Sequence, residues 1–255
     1  MSFISDGWYV CWRELKHFIH SKVGVVSITL QPIIWLVLMG NMFQRVAYIP
    51  GFPANSYIEW MAAGVIAMTV LFGGIYGGMS VLWDKRFGFM NKMLAAPISR
   101  SSVAFGKMFA AAIRSAFQVS IILGIALILG APMRAGVLGA VALILIAMLL
   151  CLAFAGISLS IGAMVNGHET FFAIVNFLTM PLIFLSSALF PADFMPNWLR
   201  IAVAYNPVTY AIDPMRTLMI TGWDWAIIIP GVTVVGIFTL FIGGMATFLF
   251  RRSVA

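Results

Sequence analysis

Six apolar stretches, each about 20 residues or longer, constrain this chain more than any other feature of its sequence. They lie at about 23–44, 58–82, 105–130, 135–163, 170–190 and 225–250. A helix of about 20 apolar residues is long enough to cross the hydrocarbon core of a bilayer. The chain is 62% hydrophobic and only 9% charged, whereas soluble domains carry about 25% charged residues. The sequence therefore predicts an all-α integral membrane protein with six transmembrane helices.

The fifteen Lys and Arg residues predict which side of the membrane each loop occupies. With the N-terminus inside, ten of them fall on the inner side, and Arg114 lies within the third stretch. Only four fall outside: Arg45, Arg134, Arg200 and Arg216. Because cytoplasmic loops are enriched in Lys and Arg, both termini are predicted to be cytoplasmic. The net charge of +7 then indicates contact with membrane lipid and argues against nucleic acid as a partner.

Residues 1–22 predict an amphipathic helix that lies in the inner membrane interface. Apolar side chains recur there at helical spacing: Trp8, Cys11, Trp12, Leu15 and Ile19. The opposite face carries Arg13, Lys16, His17 and His20. Such helices bury their apolar face at the boundary between headgroups and acyl chains. The pattern fits a plain membrane anchor, and it also fits a helix that contacts a cytoplasmic partner.

A second amphipathic segment, residues 84–96, separates the second and third stretches on the predicted cytoplasmic side. Phe87, Met90 and Leu94 fall on one helical face, and the other side carries Asp84, Lys85 and Lys92. Gly88 weakens this helix and Pro97 ends it. We predict a helix of about three turns. Such a helix either lies on the membrane or inserts into a groove on a soluble partner.

The segment before the last apolar stretch, residues 191–222, is rich in proline and poor in charge. Its prolines, Pro191, Pro196, Pro207 and Pro214, leave apolar pieces that are too short to span a bilayer. Non-helical backbone at membrane depth requires cover from protein or from a water-filled cavity. We therefore predict short re-entrant helices that dip into the outer leaflet and pack on neighbouring spans.

Neutral polar residues interrupt the apolar stretches. They are Gln31, Asn41, Gln44, Gln118, Asn176 and Thr179. Such side chains either form hydrogen bonds between helices or line a weakly polar path for an amphiphilic substrate. Pro32 and Pro181 predict kinks in the first and fifth stretches. Two interleaved G-x-x-x-G pairs in residues 73–78 predict close helix packing, within one subunit rather than between two.

No arrangement of residues in the sequence predicts catalysis or nucleotide binding. There is no G-x-x-x-x-G-K-[ST] loop, and His168-Glu169 has no second histidine at zinc-ligand spacing. A stand-alone secondary transporter or channel usually carries ionisable groups at mid-membrane, which are hard to find here. A membrane-embedded enzyme would have to rely on Asp193, Asp213 and Asp224. We therefore expect no catalytic residue, no metal and no cofactor in this chain.

Two motifs resemble those of a known transporter family. Arg86, Gly88 and Leu94, followed by "APIS" at 96–99, resemble a basic-glycine-leucine-proline run between spans two and three. The segment 190–216 resembles a Pro…Pro-x-Trp…Asn-Pro…Arg signature, formed here by Pro191, Pro196, Trp198, Asn206, Pro207 and Arg216. Together they are similar to the membrane-spanning subunit of ABC-2 type ABC transporters, especially the daunorubicin-resistance-like drug-export branch.

The resemblance implies a multi-pass permease in the cytoplasmic membrane, part of an ATP-driven exporter of a hydrophobic or amphiphilic molecule. Permeases for lipid-linked polysaccharides are the alternative. A separate ATPase subunit, in two copies, would bind ATP and Mg²⁺ and pair with two identical or closely related permeases. The implied coupling helix docks on that ATPase through Asp84, Lys85, Arg86, Phe87, Gly88, Met90, Leu94 and Pro97. Relatives open laterally between spans one and five, and the implied pathway residues here are Gln31, Asn41, Asn176 and Thr179.

Overall fold

The computed structural model describes residues 3–95, 98–165 and 167–253, which form helices joined by turns, without a strand in those ranges. The helices are α1 (Phe3–His20), α2 (Lys22–Met42), α3 (Tyr57–Arg86), α4 (Phe89–Ala95), α5 (Arg100–Ile128), α6 (Gly136–Met164), α7 (His168–Phe184), α8 (Asn197–Ala204), α9 (Pro207–Ile220) and α10 (Trp225–Ser253). Short 3₁₀ turns follow α2 at Gln44–Tyr48 and precede α8 at Ala192–Phe194.

Five helices of the described ranges, α2, α3, α5, α6 and α10, are long and apolar enough to cross a membrane. The apolar helix α7 has 17 residues and is the sixth. The prediction of an all-α membrane protein with about six spans is thereby confirmed. The fifth span was predicted to reach residue 190, but α7 ends at Phe184. Pro181 lies in its last turn and lacks the backbone N–H that would bond to the Phe177 carbonyl, which weakens this end of the helix.

The long helix α3 lies at the centre of the fold and packs against α5, α6 and α9. Its glycines allow this close approach: a Cβ atom on Gly78 would lie 2.2 Å from the carbonyl oxygen of Ser158 in α6. The hydroxyl of Ser158 in turn donates to the carbonyl of Ile75 across the same contact, at 2.5 Å. The predicted close packing within one subunit is therefore confirmed for the pair Gly74 and Gly78, whereas Gly73 and Gly77 make only ordinary contacts.

Helix α1 covers one side of α5 and does not lie apart from the bundle. The two helices cross where Gly7 meets Gly106, since a Cβ atom on Gly106 would lie 2.4 Å from the Gly7 carbonyl oxygen. Trp8 and Trp12 remain exposed, as an interfacial helix requires. Cys11 was predicted on the same face as the tryptophans, but it is buried. It lies one helical turn after Gly7, on the face of α1 that packs against α5.

Residues 84–96 do not form the single helix of three turns that the sequence predicted. Helix α3 continues to Arg86, and Gly88 then adopts a φ of +70°. The Gly88 N–H donates to the Lys85 carbonyl at 3.2 Å, which ends α3 with a left-handed glycine. Helix α4 starts anew at Phe89 and has seven residues. Pro97 and the side chain of Leu94 lie outside the described part of the chain.

The proline-rich segment forms two short helices, as predicted. Pro196 directly precedes α8, and Pro207 occupies the first turn of α9, where a missing backbone N–H costs nothing. Helix α9 is buried against α3, α6 and α10, whereas one side of α8 is exposed. The position of both helices in the outer leaflet stays a prediction.

Candidate functional site

Four charged side chains from three helices meet at the end of the bundle that carries α4. We call Arg13, Glu14, Asp84 and Lys107 the ion cluster. The Lys107 ammonium is fully buried and lies 2.9 Å from Glu14 Oε1 and 2.5 Å from Asp84 Oδ2. It also donates to the Ser80 hydroxyl at 2.9 Å. The two cations and two anions balance, so the cluster ties α1, α3 and α5 together without net charge.

Arg13 links the ion cluster to α4. Its guanidinium lies 2.8 Å from Glu14 and 2.8 Å from Asp84, and it donates to the Met93 sulfur at 3.4 Å. Burial of Glu14 by itself would raise the pKa of that carboxyl, but the attraction of Lys107 and hydrogen bonds from Lys107 and Arg13 outweigh burial. The net effect lowers the pKa of Glu14 to about 2, which keeps the carboxylate ionised across the physiological range.

The structure separates the predicted coupling residues into buried side chains, exposed side chains, and side chains outside the described part of the chain. Asp84 is buried in the ion cluster, and Lys85 donates to the carbonyls of Gly162 and Ala163 at the end of α6, at 3.2 and 2.6 Å. Helix α3 ends before Gly88 and α4 starts in a new direction, so Met90 is buried, at 4% exposed. Its spacing from Phe87 had predicted that it would face a partner.

The exposed part of this segment is an aromatic turn. Phe87 and Phe89 are 64% and 48% exposed. Phe87 stacks on Trp83 with the ring planes 11° apart, and the Arg86 guanidinium lies 5.8 Å from the centre of the Trp83 ring. We call Phe87 and Phe89 the aromatic turn. The stack on Trp83 supports one face of the Phe87 ring, and together Phe87 and Phe89 present an exposed apolar surface.

A cavity of about 310 Å³ opens between α2 and α7, with α3 and α5 behind it. We call it the α2–α7 cavity. Its walls are Ile28, Gln31, Pro32, Trp35, Val65, Met68, Thr69, Phe72, Gly73, Tyr76, Gln118, Met180, Ile183, Phe184 and Leu189. These walls are mainly apolar and aromatic and carry no charged side chain, as is typical of sites for hydrophobic ligands.

Of the four predicted pathway residues, only Gln31 lines this cavity. Thr179 lines a separate space of about 70 Å³ between α6 and α7. Asn176 is exposed, and Asn41 donates to the Val37 carbonyl in its own helix, at 2.7 Å. Gln118, which the sequence had marked only as a polar group within an apolar stretch, also lines this cavity.

Two residues of the signature, Asn206 and Arg216, connect helices at the opposite end of the bundle. The Arg216 guanidinium is buried and donates to the Ser187 carbonyl at 2.6 Å, and it stacks 3.5 Å from the centre of the Trp60 ring. Asp213 lies 3.3 Å from Arg216 and accepts from the Ser187 hydroxyl at 2.8 Å. Arg216 therefore fastens α9 to α3 and to the turn that follows α7.

Asn206 makes a second connection between the signature and α7. Its side-chain oxygen accepts from the Val208 N–H at 2.9 Å and so caps α9. Its amide nitrogen donates to the carbonyls of Leu182 and Leu185, at 2.7 and 2.5 Å. These are carbonyls that the end of α7 leaves without a helical partner. The exposed Trp198, by contrast, takes no part in these connections.

Both ends of this architecture, with the cavity between them, fall within a single family match. A family model described as ABC-2 type transporter matches residues 6–220. The chain belongs to the ABC-2 type transporter family. Members of this family are membrane-spanning permease subunits of ABC transporters, so the resemblance in the sequence motifs is confirmed.

Relatives of this ABC-2 permease extend over most of its length. It is 32% identical to "Putative transport permease ycf38" of Cyanophora paradoxa, over 85% of this chain and 74% of that protein. It is 24% identical to "Daunorubicin resistance ABC transporter permease protein DrrB1" of Streptomyces coeruleorubidus, over 82% of this chain and 72% of the relative. It is 26% identical to "Nodulation protein J" of Rhizobium leguminosarum bv. viciae, over 84% and 82% of the two chains.

The permease thus brings together residues that sequence reasoning had treated separately. Glu14 and Lys107 were not singled out, since nothing in their local spacing shows that three distant helices place them side by side with Asp84. The one available signal was the cost of charge near the membrane, which makes a partner for Lys107 necessary. The described residues contain no group of three His, Cys, Asp or Glu that could hold a metal ion.

Proposed function

We propose that this permease moves a hydrophobic or amphiphilic molecule out across the cytoplasmic membrane, driven by an ATPase that is a separate polypeptide. One observation carries the proposal. Helices α3 and α5 contribute Asp84 and Lys107 to the ion cluster, and the same two helices form the back wall of the α2–α7 cavity. A force applied at the α4 end is therefore transmitted to the walls of the cavity.

The aromatic turn is the docking element in this proposal. Phe87 and Phe89 are exposed at the start of α4, and an exposed pair of aromatic side chains suits insertion into a groove of a soluble partner. Arg13 connects α4 to the ion cluster through Met93 and Asp84. Movement of the partner on ATP binding would thus act on α1, α3 and α5 together and not on α4 alone.

The substrate class follows from the cavity between α2 and α7. Its walls have no charge, and Trp35, Phe72, Tyr76 and Phe184 make it strongly aromatic. A charged or heavily hydroxylated molecule would leave polar groups unpaired in such a space. The relative named for daunorubicin resistance supports a drug-like substrate, ahead of the polysaccharide alternative. We further propose that two permeases and two ATPases assemble about a two-fold axis.

The test is co-purification of this chain with the product of a neighbouring ATPase gene, followed by the ATPase rate of the complex. The double change Phe87→Ala/Phe89→Ala should lower the co-purified ATPase severalfold, because it removes the aromatic surface while leaving Trp83 in place. Trp198→Ala is the matched control, since Trp198 is an equally exposed aromatic at the other end of the molecule.

A normal ATPase response in the double variant would overturn the docking role of the aromatic turn. Purification of the wild-type permease without any ATPase, together with transport driven by an ion gradient, would overturn the ATP-driven function as a whole. That second result would support the stand-alone transporter.

A further inference from the structure

The side chain of Gln118 is a buried polar group in the otherwise mainly apolar wall of the α2–α7 cavity. The residue is 2% exposed, and its Nε2 atom has no hydrogen-bond partner among the described residues. Its buried polar neighbours are satisfied locally: the Thr69 hydroxyl donates to the Val65 carbonyl and the Ser115 hydroxyl to the Ala112 carbonyl, both at 2.8 Å. A buried amide without a partner is costly, so a group from outside the chain is expected to pair with it.

The surroundings of Gln118 determine what that group can be. Among the described residues, no charged side chain lines the α2–α7 cavity, so an ionised ligand would lie there unpaired. Trp35, Phe72 and Phe184 line the cavity, and aromatic side chains pack favourably against a flat apolar body. The side-chain amide can both donate and accept a hydrogen bond, which matches a carbonyl or a hydroxyl group. The cavity of about 310 Å³ is at the lower end of the range for small-molecule sites.

We propose that Gln118 is a substrate-recognition residue, and that the α2–α7 cavity takes an uncharged, planar, largely apolar molecule whose carbonyl or hydroxyl group pairs with the Gln118 amide. This inference rests on the proposed export function, since it names the substrate class for the same cavity. It assigns to α5 a recognition role that neither the motifs nor the two flanking helices indicate.

The probes are fluorenone and fluorene, which share one planar skeleton and differ by a single carbonyl group. Binding is measured by equilibrium dialysis of the labelled compounds against the full chain in lipid nanodiscs, with empty nanodiscs as the blank. The wild type should bind fluorenone between about twofold and tenfold more tightly than fluorene, which corresponds to one net hydrogen bond. Gln118→Met should remove that preference while fluorene affinity stays unchanged.

Gln44→Met is the matched control, because Gln44 is exposed in the turn after α2 and does not line the cavity. It should retain the preference for fluorenone. Gln118→Leu repeats the loss of the amide with a different side chain, and retained fluorene binding shows that the cavity of each variant is intact. Equal affinity of the wild type for both probes, no saturable binding of either, or a preference that persists in Gln118→Met and Gln118→Leu would overturn the proposal.

The dialysis requires no ATPase, so it separates this inference from the proposed function. A carbonyl preference that depends on Gln118, in a permease that never pairs with an ATPase, would support the recognition site and overturn ATP-driven export. Stable ATPase pairing with no carbonyl preference would support ATP-driven export and overturn the recognition site.

Discussion

Lys107 places a positive charge in the interior, where it touches two carboxylates and one hydroxyl and no solvent. A buried charge of this kind is tolerated only when its partners are close and well oriented. Glu14 and Asp84 are held on different helices, so the three residues fix the distances between α1, α3 and α5. At the scale of the residue, this charge balance links α1 to the helices behind the cavity.

We expect Lys107→Met to lower the free energy of unfolding by about 3–5 kcal/mol, because it leaves the Glu14 and Asp84 carboxylates without their buried cation. The measurement is denaturant unfolding in detergent micelles. Lys16→Met is the control: Lys16 is exposed on α1, so its loss should change stability by no more than about 0.5 kcal/mol. Similar unfolding midpoints for Lys107→Met and the wild type would show that the ion cluster does not hold the helices together.

At the scale of the element, α3 is both the central helix and the one most dependent on small residues. Gly74 and Gly78 face α6 closely enough that its backbone leaves no room for a side chain. Gly64 does the same near the other end, where a Cβ atom would lie 2.1 Å from the Ala188 carbonyl oxygen. Gly64 therefore allows α3 to reach the turn after α7, where Arg216 also binds.

Two neighbouring glycines on α3 should respond very differently to alanine. Gly78→Ala puts a methyl group 2.2 Å from the Ser158 carbonyl oxygen, so we expect a loss of about 1–3 kcal/mol of stability from overpacking. Gly77→Ala meets the Cβ atoms of Ala111 and Ala155 at 3.4 and 3.5 Å and the Cα atom of Ala155 at 3.9 Å, which are ordinary contacts, so it should be tolerated. Thermal unfolding of the two variants side by side tests the α3–α6 contact, and equal melting temperatures would contradict it.

At the scale of the whole molecule, the aromatic turn and α8 lie near opposite ends of the bundle. The 30 residues of α3 correspond to about 45 Å of helix, enough to cross a bilayer and its interfaces. Tyr57 at one end donates to the Leu189 carbonyl near the α8 side, and Arg86 at the other end adjoins α4. The cavity lies between these two ends.

An impermeant maleimide should distinguish the two ends in the membrane. Phe87→Cys should react only in inside-out vesicles and Trp198→Cys only in intact cells, because the basic loops are predicted to be cytoplasmic. The native Cys11 and Cys151 are buried, which keeps the background low. Reaction of both variants from the same side would contradict the proposed orientation.

Much of this architecture could be predicted from the sequence, since it depends on local composition. The length and hydropathy of each apolar stretch predicted the spans, and the prolines at 191–214 predicted short helices instead of a seventh span. The break at Gly88 was harder: glycine signals a weak point in a helix, but only the conformation of the chain decides whether the helix bends or ends. Met90 was therefore assigned to the docking face although it is buried.

The sequence by itself determined the class of protein, the number of spans and the family, because these follow from hydrophobic length and from motifs that are continuous in the chain. Only the tertiary structure decided which polar residues pair with one another and which are left without a partner. Lys107 lies 93 residues from Glu14 and 23 residues from Asp84 along the chain, yet it contacts both carboxylates. Gln118 looks like any other amide in an apolar helix until the packing of four helices places it at a cavity and leaves it without a partner. Contacts between distant segments arise from packing, which no local pattern encodes.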